Sequence, residues 1–89
     1  MKTISITIKG KVQGVFFRQS TREIANQSGI KGEVKNLPDG NVHIIATGTK
    51  EQLEDFIGWC KKGSPRAVVA GVDVEEVSLQ MFHRFIIVH

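Results

Sequence analysis

The chain has 89 residues, 40% of them apolar and 24% charged, with a net charge of +3. That length suits one domain, residues 1–89, built around one modest core, and the composition is that of an ordinary globular fold rather than a disordered segment. The charge favours anionic ligands but falls short of the dense basic stripe of a dedicated nucleic-acid binder, and the single cysteine, Cys60, excludes an internal disulfide and fits a reducing compartment.

In the first segment Ile4, Ile6 and Ile8 fall on one face and Thr3, Ser5 and Thr7 on the other, which predicts a half-buried strand. The alternation is too strict for the apolar block of a signal peptide. No apolar run approaches the roughly 20 residues needed to span a bilayer. A cytoplasmic protein with no membrane partner is expected.

The stretch from Gly10 to Arg18 joins this strand to a helix start through a glycine-bearing turn. Backbone N–H groups at such a turn and helix N-terminus point outward without partners and attract an anion. Arg18 adds a planar fork of donors suited to phosphate or carboxylate. A small anion site for a phosphoryl group follows, with holding and cleaving both open at this point.

From Phe17 the period lengthens: Phe17, Thr21, Ile24, Ala25 and Ser28 fall at helical spacing, and Gly29 is placed to cap the end. Residues 31–37 read as a second strand, and Pro38-Asp39-Gly40 turns tightly into a third at 41–47. Thr49 with Gln52 three residues later forms a capping-box pattern. Leu53, Phe56, Ile57 and Cys60 then line one face of a second helix, stopped by Gly63 and Pro65. Val68, Ala70, Val72 and Val74 alternate as a fourth strand, with a bulge expected at Glu75-Glu76-Val77. Residues 84–88 make a short final strand. The order β-α-β-β-α-β with a short extra C-terminal strand predicts an α+β fold, a ferredoxin-like split βαβ sandwich. Its sheet is expected to be antiparallel, with both helices on one face.

Two motifs carry a resemblance. Gly10-x-Val12-Gln13-Gly14-Val15-x-Phe17-Arg18 resembles the first signature of the acylphosphatases, and Gly32-x-Val34-x-Asn36-x-x-Asp39-Gly40-x-Val42 resembles their second. The likeness covers essentially the whole chain, including Gly63-x-Pro65 after the second helix. It implies hydrolysis of acyl phosphates, mixed carboxylic–phosphoric anhydrides, to a carboxylate and inorganic phosphate without a metal or other cofactor. It also implies that Arg18 binds the phosphate and that Asn36 positions the attacking water. The N–H groups of Gly14, Val15, Phe16, Phe17 and Arg18 would form the cradle. The expected partners are a small acyl phosphate and inorganic phosphate, as product and inhibitor, acting on a monomer. Two positions depart from the pattern: Glu33 stands where a tryptophan is common, and His89 where a tyrosine is frequent.

The chemistry suits so sparse a site. The departing acid has a pKa of about 4, so its carboxylate leaves without a general acid. The phosphoryl transition state needs positioning and charge stabilisation, which fixed N–H dipoles and one arginine supply. Asn36 can orient a water but cannot deprotonate it; with no His, Glu or Asp inside the first motif, a substrate phosphate oxygen is the expected acceptor of the proton unless a side chain elsewhere serves as base.

Other residues read as structural. Gln13 is expected to brace the loop, Gly14 to serve its backbone geometry, and Asp39 and Gly40 to shape the hairpin. Cys60 sits on an apolar helix face, and His43, His83 and His89 show no metal-site spacing. Two rival functions fit the sequence less well. An RNA-binding module of similar topology needs exposed aromatics on central strands, which the strands before residue 82 lack. A catalytically idle relative would bind a phosphorylated or carbamoylated group, yet this chain keeps both Arg18 and Asn36.

Overall fold

A computed structural model describes residues 1–89. Seven elements follow one another: β1 (Lys2–Lys11), α1 (Phe17–Ser28), β2 (Lys31–Asn36), β3 (Val42–Gly48), α2 (Lys50–Lys62), β4 (Val68–Val77) and β5 (Phe85–Val88). The strands form one sheet in the order β4-β1-β3-β2-β5. The fold is the expected ferredoxin-like α+β sandwich.

The period-2 pattern of β1 does what it predicts. Ile4, Ile6 and Ile8 turn to the helix side and are buried with Val34, Val42, Ile44 and Ala46 of the neighbouring strands. α1 lies over β2 and β5, α2 over β4 and β3, and the two helices touch. Phe17 and Ala25 of α1 meet Leu53, Phe56 and Cys60 of α2 in this core. Phe85 closes it at the far edge, its ring edge-on to Phe56 at 6.2 Å.

Local chemistry sets the element ends. The Thr49 hydroxyl accepts from the Gln52 N–H while the Gln52 side chain accepts from the Thr49 N–H, so α2 starts on a complete capping box. The β2–β3 hairpin closes through Leu37 N–H on the Asn41 carbonyl at 2.8 Å, with Asp39 Oδ1 accepting from the Asn41 N–H at 3.0 Å.

Two expectations are corrected. The sheet is mixed, because β5 pairs with β2 in parallel while the other three pairings are antiparallel. The chain leaves β4 at one edge and crosses the helix-free face. It then enters β5 from the same end, so β5 must run alongside β2. Side chains hold that crossover: the Thr47 hydroxyl donates to the Gln80 carbonyl at 2.7 Å, and the Gln80 N–H donates to Thr3 Oγ1 at 2.9 Å. The bulge lies at Ala70 rather than at 75–77, since Lys9 pairs with Gly71 and Gly10 with Val69. The extra residue lets Val69 and Val72 both pack on the core. Glu75 and Glu76 continue the ladder undisturbed along an open edge, where Glu76 meets Lys2 at 3.6 Å.

Candidate active site

Residues 12–16 carry the chain from the end of β1 to the start of α1, past the end of β2. There a cleft of about 310 Å³ opens, lined by Gly14, Phe16, Arg18, Asn36, Ile87 and His89 among others. The two motifs of the sequence thus meet at one place.

The loop is built to leave its N–H groups free. Gly14 stands at φ 73°, and Phe16 is the one non-glycine residue with positive φ, at φ 59° and ψ 25°. A bulky residue in that left-handed region costs on the order of 1–3 kcal/mol. Left-handed residues next to helical ones turn successive N–H groups toward one concavity. The N–H groups of Gly14, Val15 and Phe16 make no hydrogen bond within the chain. The N–H groups of the first turn of α1 have no intrahelical partner either. No side chain caps this helix and no acidic residue sits in its first turn. α2, with its complete box, shows that the chain can cap a helix; α1 stays open at the cleft.

The two side chains singled out converge on the same opening. Arg18 lies in the first turn of α1 and makes no ion pair with any carboxylate. Asn36 is the last residue of β2, on the helix side with Val34, as alternation predicts. Its Oδ1 is buried without a hydrogen-bond partner, the only such side-chain atom in the chain. Leaving a buried acceptor unpaired costs about 1–3 kcal/mol, a cost that a ligand offering a proton removes.

The predicted cradle residues divide by role. Phe17 sends its ring into the core and leaves only its backbone to the loop, whereas the Phe16 ring is 70% exposed at the cleft. Val15 is half-buried against the core. Gln13 braces the loop as expected, its Nε2 donating to the carbonyls of Leu37 and Asn41, both at 2.8 Å.

Two further residues, Ser64 and His89, neighbour the site without a motif of their own in the sequence. Ser64 is buried, and its hydroxyl donates to the Val15 carbonyl at 2.9 Å. Its one signal was the Gly63-Ser64-Pro65 turn itself. His89 lines the cleft with Nδ1 3.5 Å from Arg18 Nη1, and no local pattern announced it. Glu33 faces the helix-free side beside Ile45 and Ile86, away from the cleft. Burial pushes the Cys60 thiol up to about 12, so it is a core residue and no nucleophile. The helix-free face of the strands carries no phenylalanine or tryptophan, and its one ring, the His43 imidazole, is held to Ser5, which makes a poor RNA-stacking platform.

Known proteins share this fold. The acylphosphatase family model matches residues 4–87. The acylphosphatase of Archaeoglobus fulgidus is 45% identical over 85 residues, covering 96% of each chain. That of Rubrobacter xylanophilus is 47% identical over 75 residues, 84% of this chain and 68% of the relative. The crystal structure of the Bacillus subtilis acylphosphatase superimposes with a TM-score of 0.97 at 40% identity, over 100% of both chains. Full-length HypF in its phosphate- and nucleotide-bound form matches with a TM-score of 0.87 at 31% identity, over 99% of this chain and 12% of that one. With a family model matching residues 4–87 and relatives 45% and 47% identical, the chain belongs to the acylphosphatases, enzymes that hydrolyse acyl phosphates.

Proposed function

We propose that the substrate's phosphoryl group sits on the N–H groups of Gly14, Val15, Phe16, Phe17 and Arg18, clamped by the Arg18 guanidinium, while Asn36 holds the attacking water. The unpartnered Oδ1 of Asn36, buried at the cleft that Arg18 lines, is the observation that carries this reading. It has a lone pair for a water's proton and no other use for it.

The water oxygen attacks phosphorus in line with the bond to the acyl oxygen. That bond breaks, and the electron pair leaves with the carboxylate. Three non-bridging oxygens gather the charge, and the N–H dipoles and Arg18 stabilise it. The water's proton goes to a phosphate oxygen. Because the leaving group needs neither a proton nor a Lewis acid, the reading includes metal-independent turnover, unaffected by a chelator. It further includes one domain, residues 1–89, acting as a cytoplasmic monomer on small acyl phosphates, with inorganic phosphate a competitive inhibitor.

Hydrolysis of an aryl acyl phosphate by the wild type, Arg18→Ala and Asn36→Ala tests the roles. Each substitution is expected to lower kcat by on the order of a hundred- to a thousandfold with folding intact, the usual cost of losing one preorganised group. Unchanged turnover in either variant would remove that residue from the mechanism.

A further inference from the structure

We infer that Ser64, 49 residues beyond the loop in sequence, positions the phosphate cradle by fixing the plane of the Val15–Phe16 peptide. The inference rests on reading residues 14–18 as the cradle. In a trans peptide the C=O and N–H bonds point in opposite directions, and every peptide of this chain is trans. The Ser64 hydroxyl donates to the Val15 carbonyl from the core side at 2.9 Å. Holding that carbonyl inward turns the Phe16 N–H outward, and that N–H has no partner within the chain.

Ser64 is itself held firmly. The Gly63 N–H donates to the Trp59 carbonyl at 2.8 Å, ending α2, and the Ala67 N–H donates to the Ser64 carbonyl at 2.9 Å. Gly63 sits at φ 74°, and a Cβ there would come within 2.9 Å of the Phe17 ring and 3.0 Å of Val69. Only glycine lets the turn lie this close under the first residue of α1. The Trp59 ring packs on Phe17 with centroids 5.4 Å apart. The end of α2 is therefore a rigid platform, and Ser64 is its one polar reach into the loop. Phe16 stands in a strained left-handed conformation, so its peptide has reason to relax once that hydrogen bond is gone.

The test compares wild type and Ser64→Ala by inorganic phosphate inhibition, by turnover of an aryl acyl phosphate, and by amide proton shifts on phosphate titration. In the wild type, phosphate is expected to move the Phe16 amide downfield together with its loop neighbours. In Ser64→Ala the Phe16 shift is expected to shrink selectively. Phosphate affinity and kcat/KM should each fall by roughly tenfold, less than deletion of a direct anion donor. A merely structural role would lower stability without singling out the Phe16 amide. Should Ser64→Ala lose its fold, Ser64→Cys, similar in size with a weaker S–H donor, is read the same way. A variant with wild-type phosphate affinity and an undiminished Phe16 shift would overturn the role of Ser64 alone. A wild type in which phosphate moves no amide of residues 14–18 would overturn the cradle, and this inference with it.

Discussion

Gln13 ties the loop of residues 12–16 to the hairpin that carries Asn36: its Nε2 lies 2.8 Å from the carbonyl oxygen of Leu37, the residue after Asn36. The second proton of the same amide goes to the Asn41 carbonyl, also at 2.8 Å. One side chain thus spends both its donors on setting the distance between the two halves of the site.

Gln13→Glu preserves the shape and removes both donors, setting carboxylate oxygens against two carbonyls. At about 0.5–1.5 kcal/mol per hydrogen bond, stability is expected to fall by about 1–3 kcal/mol. Activity is expected to fall further than unfolding explains, by about tenfold in kcat/KM even where the variant is fully folded, because misplacement by about an ångström costs up to a hundredfold. Denaturant titration and kinetics on the same preparation check this. A variant that is destabilised but turns over like the wild type would make Gln13 a structural strap alone.

The elements that proved legible are those whose signals are local. Ile4, Ile6 and Ile8 announce a half-buried strand, and Thr49 with Gln52 a helix start; both formed as the spacing demanded. Arg18 and Asn36 were legible because each lies inside a short motif at a turn or strand end. The misread features depend on distant partners. The direction of β5 is set by a crossover held to Thr3 and Thr47, and nothing in Phe85–Val88 records that. The bulge at Ala70 reflects a register against Gly10, 60 residues away by the numbering. Ser64 and His89 reach the site from 49 and 71 residues beyond their partners, beyond any periodicity argument.

His43 gives the fold a dependence on pH separate from catalysis. It lies on the helix-free face, its Nε2 2.8 Å from the Ser5 hydroxyl. Burial and then Lys35 hold its imidazole below the ordinary value of 6.5, with Glu33 opposing them. Below pH 6.5 the unfolded chain therefore binds this proton more readily than the folded one, so the contribution to stability falls as pH falls. It is constant above that value. His43→Gln removes this component. The stability difference between pH 7.5 and pH 5, measured by urea unfolding, is expected to be smaller in His43→Gln than in the wild type. Equal differences in the two proteins would count against the assignment.

His89 is the one imidazole at the cleft and the obvious rival to the substrate's own phosphate as acceptor of the water's proton. Its placement argues against that role. A neutral imidazole has one acceptor nitrogen, and an arginine offers only donors. With Nδ1 3.5 Å from Arg18 Nη1, which can only donate, the tautomer that suits this contact has Nδ1 as acceptor and its proton on Nε2. In that tautomer Nε2 is a donor and cannot accept from water. A working general base contributes about a hundred- to ten-thousandfold, so His89→Gln separates the two cases cleanly. We expect the variant to keep kcat within about tenfold of the wild type, with an unaltered pH profile. Its effect should appear in KM and in phosphate inhibition, because Arg18 loses a neighbour that holds its fork in place. A loss of kcat of a hundredfold or more, together with the disappearance of an ionisation from the pH profile, would instead make His89 the base and displace the substrate phosphate from that role.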